Sequence, residues 1–312
     1  MSSEDCSLWM LAAEPDIPFL PLTVPHLIRS CNFPFGERVL ALDTAPLSGD
    51  YARRPKVPVQ ASLEDCCTAL LSEGIVDRVV YLEYSRQSHR RLYRKYFGDF
   101  IPQTHGYRGY PVLGSMMCLE QAEGNYMVHF DSDMLLHQSP EHSWVSEGIR
   151  LLEEHDDVIS VMPLPGPPGN DGRLHQSVPY QADPRGFFSF KNFSSRVYLI
   201  DRRRFEKLLP LEILALGSHR PLFKRFPDRW RLMAQHFLGR NVLYSFEVMV
   251  THAMQESSFV RADLDSNKAW TLHPPDHGVQ FLEKLPEIIA RVEGGSFPER
   301  QAGHYDLKLD LW

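Results

Sequence analysis

The chain has 312 residues, 43% of them hydrophobic and 23% charged, and a formal net charge of −7; that suits one large α/β domain or two modest ones. The acidic balance speaks against nucleic-acid or anionic-membrane surfaces, and no run nears the ~20 apolar residues of an integral membrane span. MSSEDCSLWMLAAEPD lacks a signal peptide's basic flank, and the five cysteines (Cys6, Cys31, Cys66, Cys67 and Cys118) show no CxxC spacing, so reduced thiols and a cytoplasmic location are expected.

LWMLAA (8–13) reads as a first strand, followed by a Pro-rich turn and a helix-like VPHLIRSC. RVLALD (38–43) is a second strand that ends on Asp43. In SLEDCCTALLSEG, Ser62 can cap a helix and Gly74 can end it, while Leu63, Cys66, Cys67, Leu70 and Leu71 share one face. DRVVYLEYS (77–85) is a third strand, and RQSHRRLYRK (86–95) reads as a solvated face. PVLGSMMCLEQAEG opens with Pro and closes with Gly, as helices do. NYMVHF is a near-continuous apolar strand, suited to cover on both faces. SWVSEGIRLLEEH is an amphipathic helix and DVISVMP a fifth strand. This alternation predicts an α/β fold, a mostly parallel sheet flanked by helices in a single continuous domain.

Residues 163–186 are rich in Pro and Gly and read as a long functional loop. SSRVYLIDRRRFEKLLP then restores strand-then-helix order. Residues 216–240 carry six Lys/Arg against one acid, with aromatic residues interleaved. The plain reading is a solvated helix with Trp230 and Phe237 in the core; the functional one is an acceptor platform. YSFEVMVTHAMQ is helical, and WTLHPPDHG precedes a last helix around 286–293.

In YMVHFDSDMLLHQ, Asp131 and Asp133 follow the fourth strand directly. Ligands of such sheets sit beyond the carboxyl ends of the strands, where Asp43 also lies. A carboxylate pair on a rigid strand end suits Mn2+ or Mg2+ bridged to substrate phosphates; the plain alternative is a solvated loop. A second copy of the pattern, Asp263-Leu-Asp265, sits between polar segments. Arg108 and Gly109, at the entry to the 111–122 helix, can approach a diphosphate. Ser132, between the two acids, is counted with the donor-binding residues.

The succession DRVVYLEYS, then RGYPVLGSMMCLEQAEGNYMVHFDSDMLL, resembles GT-A-fold glycosyltransferases, particularly the family-2-like inverting group. There a Gly-containing helix ending in A-x-G-x-Y leads into a strand that terminates in a metal-binding Asp-x-Asp. The resemblance is ordered over residues 8–165 and patchier beyond. It implies a Rossmann-like GT-A fold and a metal-dependent, inverting transfer of sugar from a UDP- or GDP-sugar to an acceptor hydroxyl. Residues 1–165 would form the nucleotide-sugar-binding half. Residues 166–312 would form the acceptor-binding half, with a C-terminal metal-ligand segment. Asp133 resembles the direct metal ligand, Asp131 the residue facing ribose and metal-bound water, and Asp43 the acid near the base or ribose. A late histidine often completes the metal set, and His273, among His273, His277 and His304, is the choice here. Glu247, opening a helix after an apolar run, resembles the general base. The group's usual pair of acids is replaced by Phe246-Glu247, and Asp201 is the reserve candidate. A donor would call for a lid, and 163–186 is the expected one. The chain departs from the group's usual P-x-Y-N strand end, reading LAAEPDIPFLPLT instead. Two alternatives remain: a haloacid-dehalogenase-like phosphatase, and a non-catalytic sugar-nucleotide or glycan-binding protein on the same fold.

Overall fold

Strand β1 (Cys6–Ala13) buries Leu8 and Met10 in one core and Trp9 in another, because successive side chains of an extended chain point to opposite faces. The computed structural model describes residues 5–53, 62–217 and 228–312. Helix α1 (Leu20–Cys31), strand β2 (Glu37–Asp43), helix α2 (Leu63–Ser72) and strand β3 (Arg78–Tyr81) follow. The amide of Asp65 donates to Ser62 Oγ and the Ser62 amide to Asp65 Oδ2, each at 3.0 Å, so α2 starts on a capping box. Next come α3 (Arg86–Phe97), α4 (Leu113–Gln121), β4 (Tyr126–Asp131) and β5 (Leu135–Gln138). Helix α3 is not merely solvated, since it buries His89, Leu92, Tyr93, Tyr96 and Phe97; the arginines between them take the other face.

Helix α5 (Trp144–Glu154) leads to β6 (Val158–Met162), β7 (Leu164–Pro165), β8 (Tyr180–Asp183), β9 (Phe187–Phe190) and β10 (Val197–Asp201). The expected loop at 163–186 thus contains two short strands, β7 and β8. After β10 come α6 (Arg202–Phe205), α7 (Asp228–Phe237), α8 (Phe246–Gln255), β11 (Val260–Leu264), β12 (Ala269–Leu272) and α9 (Val279–Glu293). Part of the basic aromatic stretch, 218–227, lies outside the described residues. In α7, Trp230 and Phe237 are 57% and 84% exposed, not in the core. They lie seven residues apart on one face, and Leu232, on the other, is the buried residue.

One sheet of nine strands, in the order β3-β2-β1-β4-β10-β6-β11-β9-β8, spans both halves of the chain in a single domain. Strands β3, β2, β1 and β4 are parallel neighbours, as are β6 and β11. Strand β10, however, runs antiparallel to both β4 and β6, and β9 antiparallel to β11 and β8. The sheet is therefore mixed, which corrects the expectation of a mostly parallel one. Parallel neighbours need a helical crossover; between β6 and β10 the chain instead makes short strands and a β8–β9 hairpin.

Helices α1, α2 and α5 pack with Leu8, Leu40 and Phe130 on one face; α3, α4 and α8 pack with Trp9, Val39 and Met127 on the other. A second sheet, β5-β12-β7, is covered by α9 through Phe281, Leu285 and Ile288. All five cysteines are buried and unbridged. Among the described residues no helix is long and apolar enough to cross a membrane.

Candidate functional site

Three parallel strands end side by side: Ala13 of β1 pairs with Asp43 of β2, and Leu11 with Asp131 of β4. Each strand must turn there, so polar side chains collect around a crevice. A cleft of about 670 Å³ opens at this edge, lined by Asp43, Arg108, Asp131, Ser132, Asp133, Glu247 and His273 alike. The fold gathers these residues, all expected from the sequence to form the site, into one cavity.

Asp43 is 8% exposed and its two oxygens are already engaged. Oδ1 accepts from Tyr84 Oη at 2.7 Å and the Ala45 amide at 3.0 Å, while Oδ2 faces His105 Nε2 at 2.8 Å. Burial works against its ionised form, but His105, then Tyr84 and the amide, outweigh it and hold the carboxyl below its usual range. Asp43 therefore fixes the His105 ring, which Tyr84 stacks against at 5.7 Å. His105 lines the cleft too, and the sequence reading missed it.

Arg108 sits where two loops touch through their backbones. The Asp50 amide donates to Arg108 O at 2.6 Å. Gly109 has φ +92°, and a Cβ there would lie 2.0 Å from Ser48 O, so only glycine lets the loops meet. The exposed Arg108 guanidinium lies 3.7 Å from Asp50 and over the Tyr107 ring.

The Asp131 amide donates to Arg196 O at 2.7 Å, which ties the end of β4 to the start of β10. Its half-exposed carboxylate has Oδ1 3.3 Å from His129 Nε2. Ser132 Oγ donates to Asp16 Oδ2 at 3.2 Å. Asp133 is buried, with Oδ2 2.9 Å from His277 Nε2. That contact follows from β5 pairing with β12, Leu135 opposite Leu272, which carries the HPPDH segment over the strand end. His277, not His273, meets the Asp-x-Asp motif. His273 Nδ1 lies 2.7 Å from Asp306 Oδ1, and its backbone pairs with Tyr305 and Leu307. Among the described residues no three His, Cys, Asp or Glu side chains stand arranged to hold a metal ion by themselves.

Glu247 stands in the first turn of α8, whose N-cap is Ser245. Its Oε2 accepts from both Ser195 N and Ser195 Oγ at 2.9 Å. No hydrogen bond to Oε1 is found among the described residues, so one oxygen is held and the other keeps its acceptor capacity, and the residue lines the cleft. Beside it stands Arg196, a second residue the sequence reading missed. Burial works against its charge, but Tyr305, Glu247, Asp131 and Asp306 around it raise its pKa above the ordinary value.

The reserve base, Asp201, is elsewhere. It pairs with Tyr126 at the opening of β4, so five residues of strand, roughly 17 Å, separate it from Asp131. There it caps α6 through the Arg203 and Arg204 amides. Asp263 of the second Asp-x-Asp copy is wholly buried and accepts from Arg261 Nε at 2.7 Å and from a terminal nitrogen at 2.9 Å. A scan against protein-family models matches none, and no curated protein matches the chain.

Proposed function

We propose that this protein is a metal-dependent glycosyltransferase of GT-A-like fold that moves a sugar from a nucleoside-diphosphate donor to an acceptor hydroxyl with inversion. The observation that carries the reading is the convergence of Asp43, Arg108, Asp131, Asp133 and Glu247 on one cleft at the carboxyl edge of parallel strands.

The donor set fits Mn2+ or Mg2+: Asp131 and Asp133 supply hard oxygens, and His277 an imidazole that suits Mn2+. Such ions are commonly held by one or two carboxylates and completed by substrate phosphates. When bound, the ion stabilises negative charge on the departing nucleoside diphosphate. Asp43 and His105 bound the nucleoside end, and Arg108 with the glycine-locked loops 44–53 and 104–111 bounds the diphosphate. Glu247 takes the proton of the acceptor hydroxyl through Oε1 while Ser195 steadies Oε2. The acceptor oxygen forms a bond to the anomeric carbon as the bond to the diphosphate oxygen breaks on the opposite side. The electron pair leaves with the nucleotide, and the proton stays on Glu247.

The test is a panel of UDP- and GDP-sugars with and without Mn2+, read by thermal stability and by release of nucleoside diphosphate. A matching nucleotide at about 100 times its Kd adds about 2.7 kcal/mol only with Mn2+, and its sugar donor turns over. Absence of any Mn2+-dependent stabilisation across the panel overturns the reading.

A further inference from the structure

A second cavity, of about 420 Å³, adjoins the cleft; Arg196, Glu247 and Val248 line both. Its size suits a small molecule. Its outer wall includes Gln176 and Val178, from the 163–186 segment, and no residue of 166–186 lines the first cleft. The segment expected to close over the donor is therefore a wall of the neighbouring cavity.

The polar groups of this wall are unequally engaged. Arg261 is neutralised by Asp263 and also donates to Asn192 O at 3.0 Å. His252 Nε2 lies 2.9 Å from Glu212. The Arg196 guanidinium, in contrast, has no hydrogen bond or ion pair among the described residues. Gln176 lines the same cavity, but its Nε2 is buried with no hydrogen-bond partner among the described residues. A cation left without an ion pair on the wall of a cavity calls for an anionic ligand, because a charge-assisted hydrogen bond is among the strong ones. Tyr305 adds an aromatic ring to the lining, and Phe193, itself buried, backs the wall.

We propose that this cavity is the acceptor site and that it takes a small polyhydroxylated molecule bearing a phosphate or carboxylate. Arg196 grips the anion, and the reacting hydroxyl reaches Glu247 across the shared wall. The inference rests on the transferase reading for its role, but its ligand class can be measured separately. The carboxylates nearest Arg196 stand outside ion-pair distance, so a directly bonded, charge-assisted anion outweighs their repulsion.

The experiment titrates glucose 6-phosphate, glucuronate and glucose against the wild-type chain, Arg196→Gln and Gln255→Trp. Gln255 is an exposed α8 residue that lines only the second cavity, so the larger ring fills it. An anionic hexose is expected to bind the wild type about tenfold or more tighter than glucose. That preference vanishes in Arg196→Gln, and binding vanishes in Gln255→Trp while Mn2+-dependent nucleotide binding persists. Preference for the phosphate or the uronate identifies the anion. Equal affinity for all three sugars, or a preference unchanged in Arg196→Gln, overturns the proposal. Anion selectivity intact alongside absent nucleotide binding supports the ligand class and overturns the transferase reading instead.

Discussion

Glu247 has two unlike oxygens: Oε2 takes both donors of Ser195 and Oε1 takes none among the described residues. A base must be steady and must keep a lone pair for the incoming proton. Glu247→Gln keeps the shape and the Ser195 contact but removes the basicity. Steady-state kinetics should then give a turnover roughly a hundredfold or more lower, with donor affinity unchanged. Near-normal turnover would move the base elsewhere in the cleft. His105 and Arg196 differ from Glu247 in how they could have been found. Nothing local marks either one, because each reaches the cleft through a partner distant in sequence, Asp43 for the first and the β4–β10 pairing for the second.

At the scale of elements, two buried polar arrangements hold the site's supports. Arg261 and Asp263 lie on one face of β11, two residues apart, and Arg261 also sits over the Phe190 ring at 4.0 Å. Asp263→Asn leaves a buried guanidinium without its counter-charge and should cost about 3 kcal/mol in denaturant unfolding. A change within about 0.5 kcal/mol, the range of an ordinary surface substitution, would contradict the structural role. The other arrangement pins α1 to β5 and α9. His26 Nε2 accepts from the Leu136 amide at 3.1 Å, and Nδ1 faces Glu293 at 2.9 Å. Burial lowers the His26 pKa below 6.5, so the neutral ring is the folded form. A folded pKa below the unfolded one contributes stability that is present above the unfolded pKa and lost as pH falls. Glu293, held at about 2 by His26 and then Arg29, loses its contribution only in stronger acid, below 4.5. Thermal unfolding followed from about pH 7 to about pH 5 should therefore decline more steeply in the wild type than in His26→Gln. Parallel profiles would show that His26 does not titrate on unfolding.

At the scale of the whole molecule, the front of the chain was readable because each strand-helix pair carries its own signals: the Ser62 cap, the apolar run into Asp131, the Pro and Gly around α4. What could not be read was strand direction. A strand read as parallel puts its last residue, Asp201, at the cleft edge; β10 runs the other way and puts Ser195 and Arg196 there instead. Direction depends on whether a crossover helix intervenes, and the 163–186 segment hid short strands too weak to announce themselves. The β5–β12 pairing was invisible for the same reason, and with it the choice between His273 and His277.

On the proposed reading, the strand-end acids and His277 hold a donor's diphosphate through a divalent ion. Calorimetric titration of the matching nucleoside diphosphate, with and without Mn2+, tests it in the wild type, Asp133→Ala, His277→Ala and His273→Ala. Binding is expected to require Mn2+, to be abolished in Asp133→Ala, and to fall about tenfold or more in His277→Ala, with a smaller loss in His273→Ala and an unchanged unfolding temperature throughout. Binding that is indifferent to Mn2+, or equal in the wild type and Asp133→Ala, would contradict it.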